Sequence, residues 1–143
     1  MAVVLLGVSE LTWGSGCTIS STPLQFGVYD SLAQAPLDSV GTVSVNCEPG
    51  LAYVVKLGPG ENPVNMFHHR MMRSSKTGAM LNYNLYKDSA RTEVWGDGTN
   101  NTFVQGGAGT GADEIFNVYG RLFGSQNVGS GAYRDAMTVT IEW

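Results

Sequence analysis

Alternation of apolar and polar residues is the dominant pattern along this chain, and it predicts β-strands. The clearest segment is Gly41–Cys47, where Val43, Val45 and Cys47 fall on one face and Thr, Ser and Asn on the other. No segment shows the helical spacing of an amphipathic helix. The same alternation predicts further strands at 24–29, 52–57, 80–86, 114–123 and 135–143.

Glycine- and asparagine-rich stretches separate these strands and predict turns, at 58–62, 96–101, 106–111 and 125–131. Residues 59–79 show no regular pattern and are expected to be irregular. Short strands joined by glycine-rich turns, with no break in composition, are typical of a single all-β sandwich.

The alternation in the closing segment, 135–143, predicts another strong strand. Four positions fall on its inward face and the residues between them on a more polar outward face. The inward positions are Met137, Val139, Ile141 and Trp143. A charge placed on the inward face would be buried without a partner.

The first residues form a second unusual strand. Residues 2–13, AVVLLGVSELTW, are extended in pattern and apolar, and Glu10 is their single charge. A long apolar strand left free at a chain end promotes aggregation, so we expect something to pair with it. The simplest partner is the sheet edge of a neighbouring copy, joined by strand addition.

Composition narrows the class of protein. A chain of 143 residues with 43% apolar residues is expected to fold as one domain with a real core. Its 8 basic and 12 acidic residues are scattered, so no basic patch indicates nucleic-acid binding. The N-terminal apolar run is too short to insert across a membrane. No Lys or Arg precedes Lys56, so we interpret the chain as mature, or nearly so.

Two cysteines, Cys17 and Cys47, are present, without a CxxC motif or a neighbouring histidine. This pattern argues against a zinc site. It favours one disulfide in an exported protein over two free thiols, and the alternative stays open at this point.

The other chemical candidates are weak, and we predict no catalytic residue, no cofactor and no metal site. His68 and His69 are adjacent and would need a third ligand to chelate a metal ion. A methionine cluster beside them, Met66, Met71 and Met72, would suit copper, but ordinary packing is the better explanation. The run GGAGTG has no following Lys, so it is not expected to bind phosphate. Trp95 and Tyr119 are expected in the core rather than in a sugar-binding platform.

Several ordered blocks of the chain resemble the spore coat protein U domain family, which includes the subunits of archaic chaperone–usher pili. The resemblance covers nearly all of the chain from Cys17 to Trp143. The blocks are CTISSTPLQFGVYD (17–30), GTVSVNC (41–47), LNYNLYKDSARTEVWGDGT (81–99), VYGRLFGSQNV (118–128) and GAYRDAMTVTIEW (131–143).

The resemblance implies an incomplete immunoglobulin-like β-sandwich that lacks its last strand, which an N-terminal donor strand from a neighbouring subunit completes. It implies residues 1–16 as donor strand and Gly-Ser-Gly linker, and 17–143 as the pilin domain. Cys17 and Cys47 match the family's paired cysteines, and 133–143 matches its closing strand. The expected route is export to the periplasm, a dedicated chaperone and an outer-membrane usher.

The donor face predicted from the resemblance consists of alternate positions of the N-terminal strand: Val3, Leu5, Gly7, Ser9, Leu11 and Trp13. Gly7 and Ser9 interrupt its apolar character, and the opposite face carries Val4, Leu6 and Val8. A bulge could switch the faces midway, or the outer face could contact a further subunit. The register of the donor strand therefore stays open.

Three functions follow as hypotheses. The first is a non-enzymatic structural subunit of an extracellular pilus on the cell surface, assembled from identical subunits and serving adhesion or biofilm formation. The second is a spore coat or surface protein of the same fold that completes itself and stays monomeric. The third, a tip adhesin, would need room for a further binding domain. The short Gly14-Ser15-Gly16 linker favours a strand that projects away from its own domain.

Overall fold

The computed structural model describes residues 2–10, 16–64, 66–129 and 131–143, and within them the fold is all-β. No helix in these ranges is long and apolar enough to cross a membrane. The strands are β1 (Ala2–Glu10), β2 (Cys17–Ser21), β3 (Leu24–Gly27), β4 (Leu37–Cys47), β5 (Ala52–Leu57), β6 (Arg70–Ser74), β7 (Met80–Tyr86), β8 (Gln105–Ala108), β9 (Glu114–Leu122) and β10 (Tyr133–Glu142).

The strands form one continuous sheet that curls into two facing layers. The first layer has the order β2-β4-β9-β7-β6, and the second has the order β8-β5-β10-β1-β3. Strand β10 joins them, because its first two residues pair with β6 and its last four with β5. The predicted all-β, immunoglobulin-like sandwich is confirmed.

A proline, Pro23, separates β2 from β3. Thr22 still donates its backbone N–H to Thr42 in the neighbouring strand, but Pro23 has no N–H to continue that ladder. Strand β2 therefore pairs with β4, while β3 crosses to the other layer and pairs with β1. Glycines at 41 and 120 make room for this crossing, because a Cβ at either position would collide with the Leu24 side chain.

Side chains from both layers meet in a common core. Phe116 of β9 packs edge-on against Tyr53 of β5 and against Trp95, with ring centroids 6.3 and 6.4 Å apart. Trp95 is fully buried, as predicted, and its indole N–H donates to the Val55 carbonyl. The alternation of apolar residues thus marks the buried face of each layer.

Three strands lie where the alternation predicted none, and the first of them is β2. Strand β6 falls inside the stretch 59–79 that was expected to be irregular, and β8 includes Gly106 and Gly107 of the expected loop. Strand β4 also begins at Leu37 rather than Gly41. Short strands with one or two apolar residues carry too little alternation to be recognised, and tertiary pairing decides their structure.

Cys17 and Cys47 form a disulfide between directly paired residues of β2 and β4. The bond closes a loop with a sequence separation of 30 residues. It thereby fixes the start of β2 at the same end of the sandwich at which β10 finishes.

Removal of this disulfide should destabilise the domain. The double variant Cys17→Ser with Cys47→Ser should lose about 3–4 kcal/mol of unfolding free energy, because the unfolded chain regains the entropy of the open loop. Urea unfolding measures the loss, and wild type treated with reductant serves as the control. An unchanged urea midpoint in both samples would show that the bond contributes nothing.

A charge on the inward face of β10 should be far more damaging than one on its outward face. Val139 is fully buried, whereas its neighbour Thr138 is exposed. Val139→Asp should cost about 3–5 kcal/mol, as expected for a buried charge without a partner, while Thr138→Asp should change the stability little. Thermal unfolding followed by circular dichroism compares the two variants, and equal melting temperatures would contradict the assigned faces.

Candidate functional site: a strand position filled by the N-terminus

Strand β1 fills the position between β10 and β3. It runs parallel to β10 over its full length, from Ala2 opposite Tyr133 to Glu10 opposite Ile141. On its other side, residues 2–4 pair antiparallel with β3. Without β1, both of these strands would present an unpaired backbone edge next to an apolar core.

The side chains that β1 buries alternate along the strand. Ala2 and Val4 are buried, and Leu6 is half-buried against the core. The opposite face points outward, because Val3 is only half-buried and Leu5 is 37% exposed. In the single chain, Ala2, Val4 and Leu6 therefore face the core.

The residues predicted as the donor face occupy the other side of this strand. Val3, Leu5 and Gly7 lie on the outward face, and Gly7 is exposed. Ser9 lies on β1 opposite Thr140 in the backbone register. Leu11 and Trp13 lie outside the described residues. Insertion of this face into a neighbour's groove stays a prediction.

The second edge of β1 is only partly covered. Beyond Val4, no further residue pairs with β3, and Ser21 Oγ of β2 donates a hydrogen bond to the Leu6 carbonyl at 2.9 Å. Beyond Val4, β1 therefore lies beside β2, whose backbone pairs with β4 instead. The N-terminal strand is thus held mainly by its ladder with β10.

The expectation that a short linker would keep this strand out of its own groove is wrong. Strand β1 is described as far as Glu10, and residues 11–16 separate it from Cys17. Glu10 pairs with Ile141 and Cys17 with Cys47, at the same end of the sandwich. Six residues are enough for the return of the chain to β2.

The predicted groove-edge strand lies directly beside β1. Met137, Val139 and Ile141 are buried in β10, in register with Leu6, Val8 and Glu10. Trp143 follows the end of the strand and is half-buried. Its indole ring packs so closely on Gly16 that a side chain at that position would collide with it. The final aromatic residue therefore covers the last residue before β2.

Buried polar groups form a cluster near the start of β10, which sequence reasoning missed. Asp135, opposite Val4, accepts hydrogen bonds from the Tyr83 hydroxyl and the Glu61 backbone N–H. Burial raises the pKa of Asp135 above its ordinary value, and hydrogen bonds to the carboxylate act in the opposite direction. The one available signal was an acidic residue at an inward position of a strongly alternating strand.

Arg70 is the cationic member of this cluster and is fully buried. Its guanidinium donates to the carbonyls of Gly58 and Trp95 and to the Asn84 side chain. Burial lowers the pKa of Arg70 to about 10, so it stays charged at neutral pH. Since all of these acceptors are uncharged protein groups, Arg70 fixes three chain segments rather than holding a reactive group.

The other chemical candidates are not assembled into a site. The His68 ring nitrogen is 2.5 Å from the Asn100 carbonyl oxygen, an exposed contact between two loops. Among the described residues, no group of three or more His, Cys, Asp or Glu side chains could hold a metal ion. Tyr119 is half-buried rather than in the core, and the Arg91 guanidinium lies 5.5 Å from its ring centroid.

Comparison with known proteins agrees with this architecture. A chain of the crystal structure of the CsuC–CsuE chaperone–tip adhesion subunit pre-assembly complex, from archaic chaperone–usher Csu pili of Acinetobacter baumannii, superposes with a TM-score of 0.60. The two chains are 23% identical, and the match covers 89% of this chain and 39% of the other. This likeness shows a shared fold. A structure of enteroaggregative Escherichia coli AAF fimbriae gives a TM-score of 0.32, which is too low to indicate a shared fold.

Sequence comparison identifies the family. Protein U of Myxococcus xanthus is 34% identical over an alignment of 143 residues, which covers 90% of this chain and 78% of the relative. The family model of the Spore Coat Protein U domain matches residues 2–140, a range that includes β1 as well as the sandwich. The predicted family resemblance is confirmed, and the chain belongs to the Spore Coat Protein U domain family.

Proposed function

We propose that this chain is a structural subunit of an extracellular pilus, assembled from identical copies by donor-strand exchange. Each subunit would supply its N-terminal strand to the gap beside β10 of the next. A periplasmic chaperone would protect that gap before assembly, and an outer-membrane usher would export the growing fibre. The fibre would serve adhesion or biofilm formation at the cell surface.

One observation carries this proposal: the strand that completes the sandwich, β1, is joined to the other described strands by one connection. Residues 2–10 form no part of a hairpin, and a single connection over residues 11–16 joins them to β2. A first strand that one connection joins to its sandwich can leave its own groove without disturbing the order of the other strands. A second copy can then supply the same backbone hydrogen bonds and apolar side chains.

The comparisons support the proposal at the level of fold and family. The neighbouring structure from Acinetobacter baumannii is described as a complex of a chaperone with a tip adhesion subunit of pili. A chaperone that fills the same gap would give this chain the same protection from aggregation. The buried side chains of Arg70 and Tyr83 donate their hydrogen bonds to other groups of the protein. This arrangement supports a structural role rather than catalysis.

A second function is favoured by a specific observation. In the single chain, β1 occupies its own groove and pairs with β10 along its whole length. A chain closed in this way could remain a monomeric coat or surface protein, as the name of its family suggests. The two functions differ in which copy supplies β1.

Charges in place of two large apolar residues of the donor strand should distinguish these two functions. In the producing cells, Leu11→Asp combined with Trp13→Asp should abolish fibres, because two charges would enter the neighbour's groove. The body of the subunit should remain folded, because β2–β10 carry most of the buried core. Fibre yield is measured by negative-stain microscopy of material sheared from the cells, and thermal unfolding of the purified chain checks the fold.

A matched control is Thr12→Asp, which places one charge between the two sites on the opposite face of the strand. It should leave fibre yield near that of wild type. Wild-type fibre yield from the double variant would refute the donor-strand proposal. Dispersed particles from wild-type cells, with no fibres, would instead favour the closed coat protein.

A further inference from the structure

The N-terminal strand carries two apolar faces of different length. The even-numbered positions are apolar only at the start, with Ala2, Val4, Leu6 and Val8 followed by Glu10 and Thr12. The odd-numbered positions are apolar at both ends, with Val3 and Leu5 at the start and Leu11 and Trp13 at the finish. A strand that ends near Val8 therefore buries the most apolar side chains through its even face. A strand that extends to Trp13 buries the most through its odd face.

The closed chain, in which β1 occupies its own groove, buries the even face. Its connection to β2 is anchored at both ends, by the pairing of Glu10 with Ile141 and by the disulfide at Cys17. The structure describes β1 as far as Glu10, and Ala2 and Val4 of its even face are buried. Extension of the same strand to Trp13 would leave only three residues for the return to Cys17.

The odd face is incompletely covered in this state. Leu5 is 37% exposed, and it shares a surface cavity of about 260 Å³ with Val3. Residues 132–134 form the other wall of this cavity. A strand with bulky apolar residues on both faces is typical of a strand buried on both sides, yet the closed chain buries one.

We propose that the two faces serve two states, with the even face closing the free subunit and the odd face entering the groove of a second copy. This inference rests on the proposed donor-strand function and specifies which surface makes the joint. A donor strand from another copy is not anchored to the acceptor's Cys17, so it can extend to Trp13. A shift of one residue in register exchanges the two faces, because side chains alternate with a period of two.

The closed state then delays assembly. While β1 fills its own groove, neither that groove nor the odd face of β1 can pair with a second copy. Exchange requires the loss of the whole parallel ladder between β1 and β10, so it should be slow in the free subunit. Its partner is defined chemically as a second copy of this chain with an open groove.

Aspartate substitutions at two adjacent positions test the assignment of faces. Val4 is fully buried in the closed chain, and its neighbour Leu5 lies on the opposite face. Val4→Asp should lower the urea midpoint of the purified full-length chain but leave fibres on the producing cells. Leu5→Asp should leave the urea midpoint near that of wild type and reduce the fibre yield at least tenfold.

Milder variants keep the test decisive if Val4→Asp does not accumulate in the cells. Val4→Thr and Leu5→Thr should show the same division, with a lower urea midpoint only for the first and a lower fibre yield only for the second. Loss of both properties in the Val4 variants, with neither lost in the Leu5 variants, would show that one face serves both states and would overturn this inference. Wild-type cells without fibres would overturn the proposed function itself.

Discussion

The ladder between β1 and β10 is the interaction on which the rest of this structure depends. Strand β10 joins the two layers, since it pairs with β6 at its start and with β5 at its end. Its remaining edge lies next to the buried residues Val139 and Ile141, where unpaired backbone groups would be costly. Some strand must therefore occupy the position that β1 fills in the single chain.

The way in which β1 is attached explains how one fold could serve two arrangements. It is the first described strand in chain order, it runs parallel to β10, and one connection joins it to the rest of the domain. In contrast, the disulfide and Trp143 hold the far end of that connection, at Cys17 and Gly16. A strand that one connection joins to a fixed anchor is what a subunit needs if it is to be closed when free and joined to others when assembled.

Much of the fold could be predicted from the sequence, because alternation is strong where a strand has one buried face. The strands at Gly41–Cys47 and 135–143 follow this rule. The rule fails at β6, whose buried positions include Arg70, and at β8, which is mostly glycine and alanine. In both strands the structure is decided by pairing partners distant in sequence. The buried Asp135 and Arg70 were missed because charged residues are normally read as exposed.

The choice of face on β1 could not be predicted, because both of its faces are apolar. The family pattern selected the odd-numbered positions, while the closed chain buries Ala2 and Val4. The structure describes this strand over Ala2–Glu10, and six residues separate it from Cys17. Alternation therefore predicts that a strand pairs with the groove but does not select its face.

The source of the strand beside β10 is tested most directly with fibres grown from a mixture of isotopically heavy and light subunits. A photoreactive residue at position 5 is cross-linked, and mass spectrometry reads each joined pair of peptides from β1 and β10. Donor-strand exchange predicts mixed heavy–light pairs at the frequency of random pairing between subunits. Pairs that are always heavy–heavy or light–light would show that every subunit keeps its own strand, and would contradict the account.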